Sequence, residues 1–214
     1  MKTNDYRMNS TRITNNVNAI NFVSSKLKYL LNQSVITYLL LIFIHWVVGR
    51  SIMLSGWTGL SDITPTLFFS VTWVFLLNHL KFKIFAKMAS NLILGFFLVM
   101  WHGSIEADGE NFYFRSIDSL NRFVEWVAIA KDGGISTDTV PFAMLIMLIS
   151  WLVATVVTML TIKFNSAWIP TVVLGLALMT NLSYRHGQLE YTFALFMMGS
   201  IILFAHLNVI KKVN

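Results

Sequence analysis

Six stretches of this chain contain no Asp, Glu, Lys or Arg: Tyr29–Gly49, Ile63–Leu80, Met88–Ile105, Thr139–Ile162, Phe164–Tyr184 and Tyr191–Ile210. They hold 21, 18, 18, 24, 21 and 20 residues, and all 26 charged side chains lie in the remaining 92 of the 214 positions. A helix rising about 1.5 Å per residue needs roughly 20 apolar residues to cross the ~30 Å hydrocarbon layer of a bilayer. At 56% hydrophobic and 12% charged, the chain also carries more apolar surface than one core of this size hides from water. Spanning backbone has to satisfy its own hydrogen bonds, which leaves helices or closed barrels. The uncharged runs have helical length, so the expected fold class is an all-α integral membrane protein, a six-span helical bundle. Pro65, Asn78 and Asn91 dilute the second and third stretches, where a re-entrant hairpin is the alternative. The first stretch follows a polar leader longer than that of a signal peptide and has no small-residue cleavage site, so the first helix is expected to be retained.

Orientation follows from where the cations fall. With the N-terminus in the cytoplasm, the inner side receives Lys2, Arg7, Arg12, Lys26, Lys28, Lys81, Lys83, Lys87, Lys163, Lys211 and Lys212. The outer side receives Arg50, Arg115, Arg122, Lys131 and Arg185, together with nine of the ten acidic residues. Cytoplasmic loops are enriched in Lys and Arg, and an even number of spans returns the C-terminus to the same side. The expected location is therefore a cell membrane, with both termini on the cytoplasmic side and the lipid bilayer as the first partner. The net charge of +6 is in this reading a topology signal, and no nucleic-acid partner is implied. The basic leader adds an attraction for anionic lipid.

Two segments lie outside the spans. Residues 1–34 form a cytoplasmic, polar and basic N-terminal segment, in which 1–17 read as disordered and 19–33 as a short helix on the inner leaflet. Residues 35–212 form the six-helix transmembrane domain, interrupted by an external loop over 103–140. In that loop Phe114, Ile117, Leu120, Val124 and Val127 recur every three or four residues, with Arg115, Asp118, Arg122 and Glu125 in the same period opposite them. That pattern predicts one external amphipathic interfacial helix, about 112–130, apolar face toward the bilayer, with Phe112, Phe123 and Trp126 widening the stripe. Asp132-Gly133-Gly134 is expected to end it, and Pro141 suits the first turn of the next span.

Chemistry is sparse. The chain contains no cysteine, which removes thiolate nucleophiles, thiolate metal sites and disulfides. His102 with Glu106, Asp108 and Glu110 is the nearest approach to a metal-ligand cluster and reads better as a solvated acidic loop. Ser200 and His206 stand six apart on one helix and so face different directions. No catalytic residue, metal ligand or cofactor is assigned. The spans carry no charge in their centres, which disfavours an ion-coupled transporter. Trp73 and Trp151 fall mid-span and read as packing. Gly95, Gly175 and Gly199 permit close helix approach. Candidate lipid or partner contacts are Arg50 at the end of the first span, Trp57 as an interfacial anchor, and Arg115, Arg122 and Trp126 on the external helix.

Several order-and-pattern motifs resemble one family. They are Gly133-Gly134-Ile135-Ser136-Thr137-Asp138 running to Pro141-Phe142, Trp151, and Phe164-Asn165-Ser166-Ala167-Trp168-Ile169-Pro170. Thr180-Asn181-Leu182-Ser183-Tyr184, Ala205-His206-Leu207-Asn208 before Lys211-Lys212, and Gly56-Trp57 complete the set. The chain resembles, over 35–212 and most closely over 130–212, the N-terminal multi-span region of bacterial membrane-anchored transglutaminase-like proteins. The resemblance implies a further span and an extracellular domain with a Cys-His-Asp triad beyond it. None of that triad falls on a position of this chain. The function so implied is a non-catalytic membrane anchor or scaffold that presents an extracytoplasmic transglutaminase-like domain or partner. A small transporter or lipid-binding membrane protein using Arg50, His102 and the outer loop is the alternative.

The topology has a direct test in a chain without native thiols. Single cysteines at Ser10 and Ser119 should react with impermeant reagents from opposite faces of the membrane. Labelling of Ser10→Cys from outside intact cells would overturn the orientation.

Overall fold

The computed structural model describes residues 33–56, 62–80, 82–105, 107–184 and 190–213. Residues 1–32, with the expected leaflet helix, and Trp57 lie outside the described residues. Seven helices make up all the described secondary structure. They are α1 (Gln33–Ser55), α2 (Thr64–His79), α3 (Ile84–Ile105), α4 (Phe112–Lys131), α5 (Thr139–Phe164), α6 (Trp168–Tyr184) and α7 (Glu190–Val213). Four of them, α1, α3, α5 and α7, are long and apolar enough to cross a membrane.

The helix ends depart from the uncharged stretches in ways that local chemistry explains. The third stretch is not clipped at Met88. Its helix continues back through Lys87 to Ile84 and reaches 22 residues, enough to span by itself. The fifth stretch loses its first turn. Asn165 adopts the left-handed conformation (φ 47°) and closes α5, so α6 begins at Trp168 and holds only 17 residues. Asn tolerates that conformation better than most non-glycine residues, and Pro170 sits in the first turn of α6, where a missing N–H costs little. α2, with Pro65 at its start and an extended Leu80 after it, stops at 16 residues. Arg50 does not end α1, which continues to Ser55 and carries Arg50 half-buried one turn inside.

α5 is the pillar of the bundle, packed on α2, α3, α4 and α6. One apolar cluster joins Leu41, Ile44 and Val47 of α1 to Val157 of α5, Leu174 and Leu178 of α6, and Phe196, Leu203 and Leu207 of α7. A second joins Ile63 and Leu67 to Val99 and Met100 of α3 and to Val140, Met144, Met147 and Ala154 of α5. Polar side chains tie neighbouring helices without charge, as Ser70 of α2 does with Thr155 (3.0 Å) and with the Trp151 carbonyl (3.3 Å).

Trp151 is the largest fully buried side chain, and its indole N–H donates to the Asn91 carbonyl of α3 at 3.2 Å. The indole lies against Gly95, where any Cβ would collide with Trp151 Nε1 and Cδ1. Gly95 is the gap that lets α3 close on α5. Gly95→Ala therefore overpacks a filled site and should destabilise the bundle by about 1–3 kcal/mol. A lower thermal midpoint for Gly95→Ala in detergent is expected, and an unchanged midpoint would show that the indole does not depend on this gap.

Candidate functional site

The helix α4 is built by its own ends. Asn111 caps α4, its side-chain oxygen accepting from the Phe114 N–H at 3.1 Å. At the other end Gly133 turns left-handed (φ 76°), the Gly134 N–H reaches the Ile129 carbonyl at 2.9 Å, and the Gly133 N–H reaches Ala130 at 3.2 Å. This paired bonding is the Schellman closure, and Gly133 enters it without Cβ strain.

Part of the apolar arc of α4 turns toward the bundle. Ser119 is fully buried, Phe123 packs on the second core cluster, and Trp126 is half-buried beside Phe123. The stripe of Phe114, Ile117, Leu120, Val124 and Val127 stays exposed on the protein surface. The apolar arc of the helix is thus divided between the bundle and whatever lies outside it. Burial of Ser119 also makes it a poor labelling site, and exposed Asn121 serves the topology test better.

Arg122 locks this arrangement. Its Nε and Nη2 donate to the two carboxylate oxygens of Asp138, each at 2.6 Å, while Nη1 lies 3.8 Å from Asp118. Asp138 also caps α5, accepting from the Val140 N–H at 3.0 Å. One carboxylate therefore closes α4 onto the start of the central pillar α5. The Arg122 hydrogen bonds hold the Asp138 carboxyl below the usual carboxylate range, and Asp138 raises the Arg122 guanidinium in turn. Beside this clamp, Trp126, Ala130, Ile135, Thr137, Asp138 and Phe142 border a recess of about 310 Å³, with Ile135 almost fully exposed on its rim.

Of the candidate contacts, Trp126 lines this recess and Arg122 is joined to it through Asp138. Arg115 lies on the same helix with its Nε buried and without an acceptor. Arg50 belongs to α1, and no described contact joins it to the recess. His102 does not turn to the neighbouring acidic loop; its Nε2–H donates to the Asp62 carbonyl at 3.0 Å, tying the end of α3 to the start of α2. Among the described residues no three His, Asp or Glu side chains converge on a common point, and Glu106 lies outside them.

A second feature escaped the sequence reading. His45 is 1% exposed, its Nδ1–H donates to the Leu41 carbonyl at 2.8 Å, and its Nε2 is buried with no partner. It borders an apolar cavity of about 210 Å³ together with Leu67, Ile149, Val153, Leu174 and Asn181. Asn181 donates to the Ser51 hydroxyl at 2.9 Å, which donates on to the Val48 carbonyl at 2.8 Å. A histidine in an uncharged stretch signals such a site only faintly, because its unpaired nitrogen is visible in three dimensions alone.

Comparison with known protein families, with curated proteins and with solved structures gives no match for this chain.

Arg122→Gln should loosen α4, because it breaks two charge-assisted hydrogen bonds while leaving the Asp138 cap in place. A loss of about 1–2 kcal/mol is expected for so partly exposed a pair. Because folding lowers the Asp138 pKa, the clamp is fully present above the ordinary carboxylate pKa of about 4 and is lost as pH falls through the lowered value. Trp126 emission should accordingly shift to the red in Arg122→Gln at neutral pH and in the parent chain only under strong acid. The same emission in both proteins at neutral pH would show that the clamp does not seat the helix.

Proposed function

We propose that this chain is the non-catalytic, membrane-embedded part of a transglutaminase-like membrane protein, a scaffold that presents an extracytoplasmic domain or partner. In this reading all six apolar helices cross the bacterial cytoplasmic membrane with both termini inside. α2 and α6, about 24 and 26 Å long at the usual helical rise, do so with help from their flanking residues and local thinning of the bilayer. The basic residues of the inner loops support the orientation.

The observation that carries the scaffold reading is the clamped external helix. A capped, Schellman-closed helix fixed to the central pillar by Arg122–Asp138 is a rigid platform, and it leaves an apolar stripe uncovered beside the recess at Trp126 and Ile135. Exposed contiguous apolar surface rimmed by polar groups marks contact with a partner or a membrane. The family resemblance over 130–212 supplies the identity of the partner as a proposal.

A second reading, a lipid-binding membrane protein, is favoured by the His45 cavity, whose unpaired nitrogen would suit a ligand that brings a hydroxyl donor into an apolar slot.

The gene separates the two readings. Beyond codon 214, or in the neighbouring gene, the scaffold reading expects a further span and a cysteine-containing extracytoplasmic domain. A genuine stop codon with no such neighbour moves the case to lipid binding. Hydrolysis of an amide or ester by the purified chain, abolished by mutation of one Ser or His, would sink the scaffold reading.

A further inference from the structure

The end of the bundle opposite the platform holds a recess of about 450 Å³ where the C-terminal ends of α2 and α5 meet the start of α3. Its walls are apolar at Leu77 and Met159, and its polar groups are Asn78, Lys87, Asn91 and Lys163. No acidic side chain borders it, and neither lysine forms an ion pair among the described residues. Lys163 lies over the Phe164 ring at 5.4 Å, which orders its stem without neutralising it.

A further group in the wall is unsatisfied. Asn91 is 4% exposed; its Nδ2 donates to the Lys87 carbonyl at 3.0 Å, and its Oδ1 is buried without a donor. A helical segment offers spare carbonyls near its end but no spare N–H in its interior, so an orphaned acceptor there needs a donor from outside. The recess thus pairs two unneutralised cations with one buried acceptor.

We propose that this recess binds the headgroup of an anionic phospholipid whose headgroup also carries hydroxyls. The phosphate sits between the Lys87 and Lys163 ammonium groups, a headgroup hydroxyl donates to Asn91 Oδ1, and the acyl chains run along the apolar walls. Basic pockets between helices near the cytoplasmic surface recognise anionic lipid in this way. The site is independent of the outer platform and does not rest on the scaffold reading.

The full chain, purified in mild detergent and exposed to an equimolar mixture of phosphatidylglycerol and phosphatidylcholine, is read for retained lipid by native mass spectrometry. Retention should favour phosphatidylglycerol. Lys87→Gln with Lys163→Gln should weaken it about thirtyfold, each charge near the surface being worth roughly fivefold in affinity. Lys87→Arg with Lys163→Arg should keep it, and so should Lys211→Gln with Lys212→Gln on α7. Asn91→Leu should narrow the preference for phosphatidylglycerol over phosphatidic acid, which has no headgroup hydroxyl. Thermal midpoints measured on the same samples establish that each variant is folded, and the arginine pair preserves the test if the glutamine pair is not. Equal retention of the two lipids, equal loss from the α7 pair, or competition by inorganic phosphate as effective as by lipid would overturn the proposal.

Discussion

The seating of Trp151 against Gly95 is the contact from which the rest of the bundle follows. α5 contributes to both apolar clusters, so the distance between α5 and α3 sets the geometry of the second cluster directly and that of the first through the same rigid helix. Helices in lipid gain little from expelling water, and they depend on close packing and a few interhelical hydrogen bonds. At this point both coincide. The indole fills the volume vacated by Gly95 and donates to the Asn91 carbonyl, four residues before that glycine on α3. The same local geometry places Asn91 at the edge of the recess beside Lys87 and Lys163, so packing at the middle of the bundle fixes a polar group near its end.

Charge is kept to the two ends and is used differently at each. At the platform, cation and anion are brought together: Arg122 is bidentate to Asp138, and Asp118 stands nearby. Such a fork holds orientation as well as contributing energy, because the planar guanidinium matches the carboxylate at both nitrogens. At the opposite end Lys87 and Lys163 stand, among the described residues, without carboxylates. An unneutralised pair of lysines beside apolar walls is stable only where water or an anionic group can reach it.

What could be read from the sequence depended on how local the determining physics was. The helix α4 was legible nearly to its ends, since Gly133 and the three-to-four periodicity act through local geometry. The long apolar helices α1, α3, α5 and α7 were legible from charge exclusion alone. The shortening of α6 was not, because an uncharged run says nothing about Asn165 adopting a left-handed turn inside it. Nor was the inward face of α4: periodicity finds the apolar arc but not which part of it packs on the second core cluster, as Phe123 does, and which part is left outside. The Arg122–Asp138 clamp joins residues sixteen apart across a turn, and the sequence pointed to Arg122 as a contact while leaving its carboxylate unidentified.

The orphaned polar atoms of the bundle divide by chemistry. The hydroxyls of Thr66, Thr158 and Ser200 and the indole N–H of Trp73 are potential donors, and a helix always offers carbonyl oxygens with a second lone pair to meet them after a small rotation. His45 Nε2 and Asn91 Oδ1 are different. With Nδ1–H given to Leu41 and Nδ2–H given to Lys87, what remains on each is an acceptor when the ring is neutral, and the backbone N–H groups inside a helix are already committed to its own ladder. Both residues border cavities, His45 one of about 210 Å³ and Asn91 one of about 450 Å³ at the end of the bundle away from α4. A lipid or water hydroxyl entering either cavity would remove a desolvation penalty of about 1–3 kcal/mol that the protein alone leaves standing. An unsatisfied acceptor in a closed core is only a cost, whereas the same atom on a cavity wall gives the cavity a chemical preference.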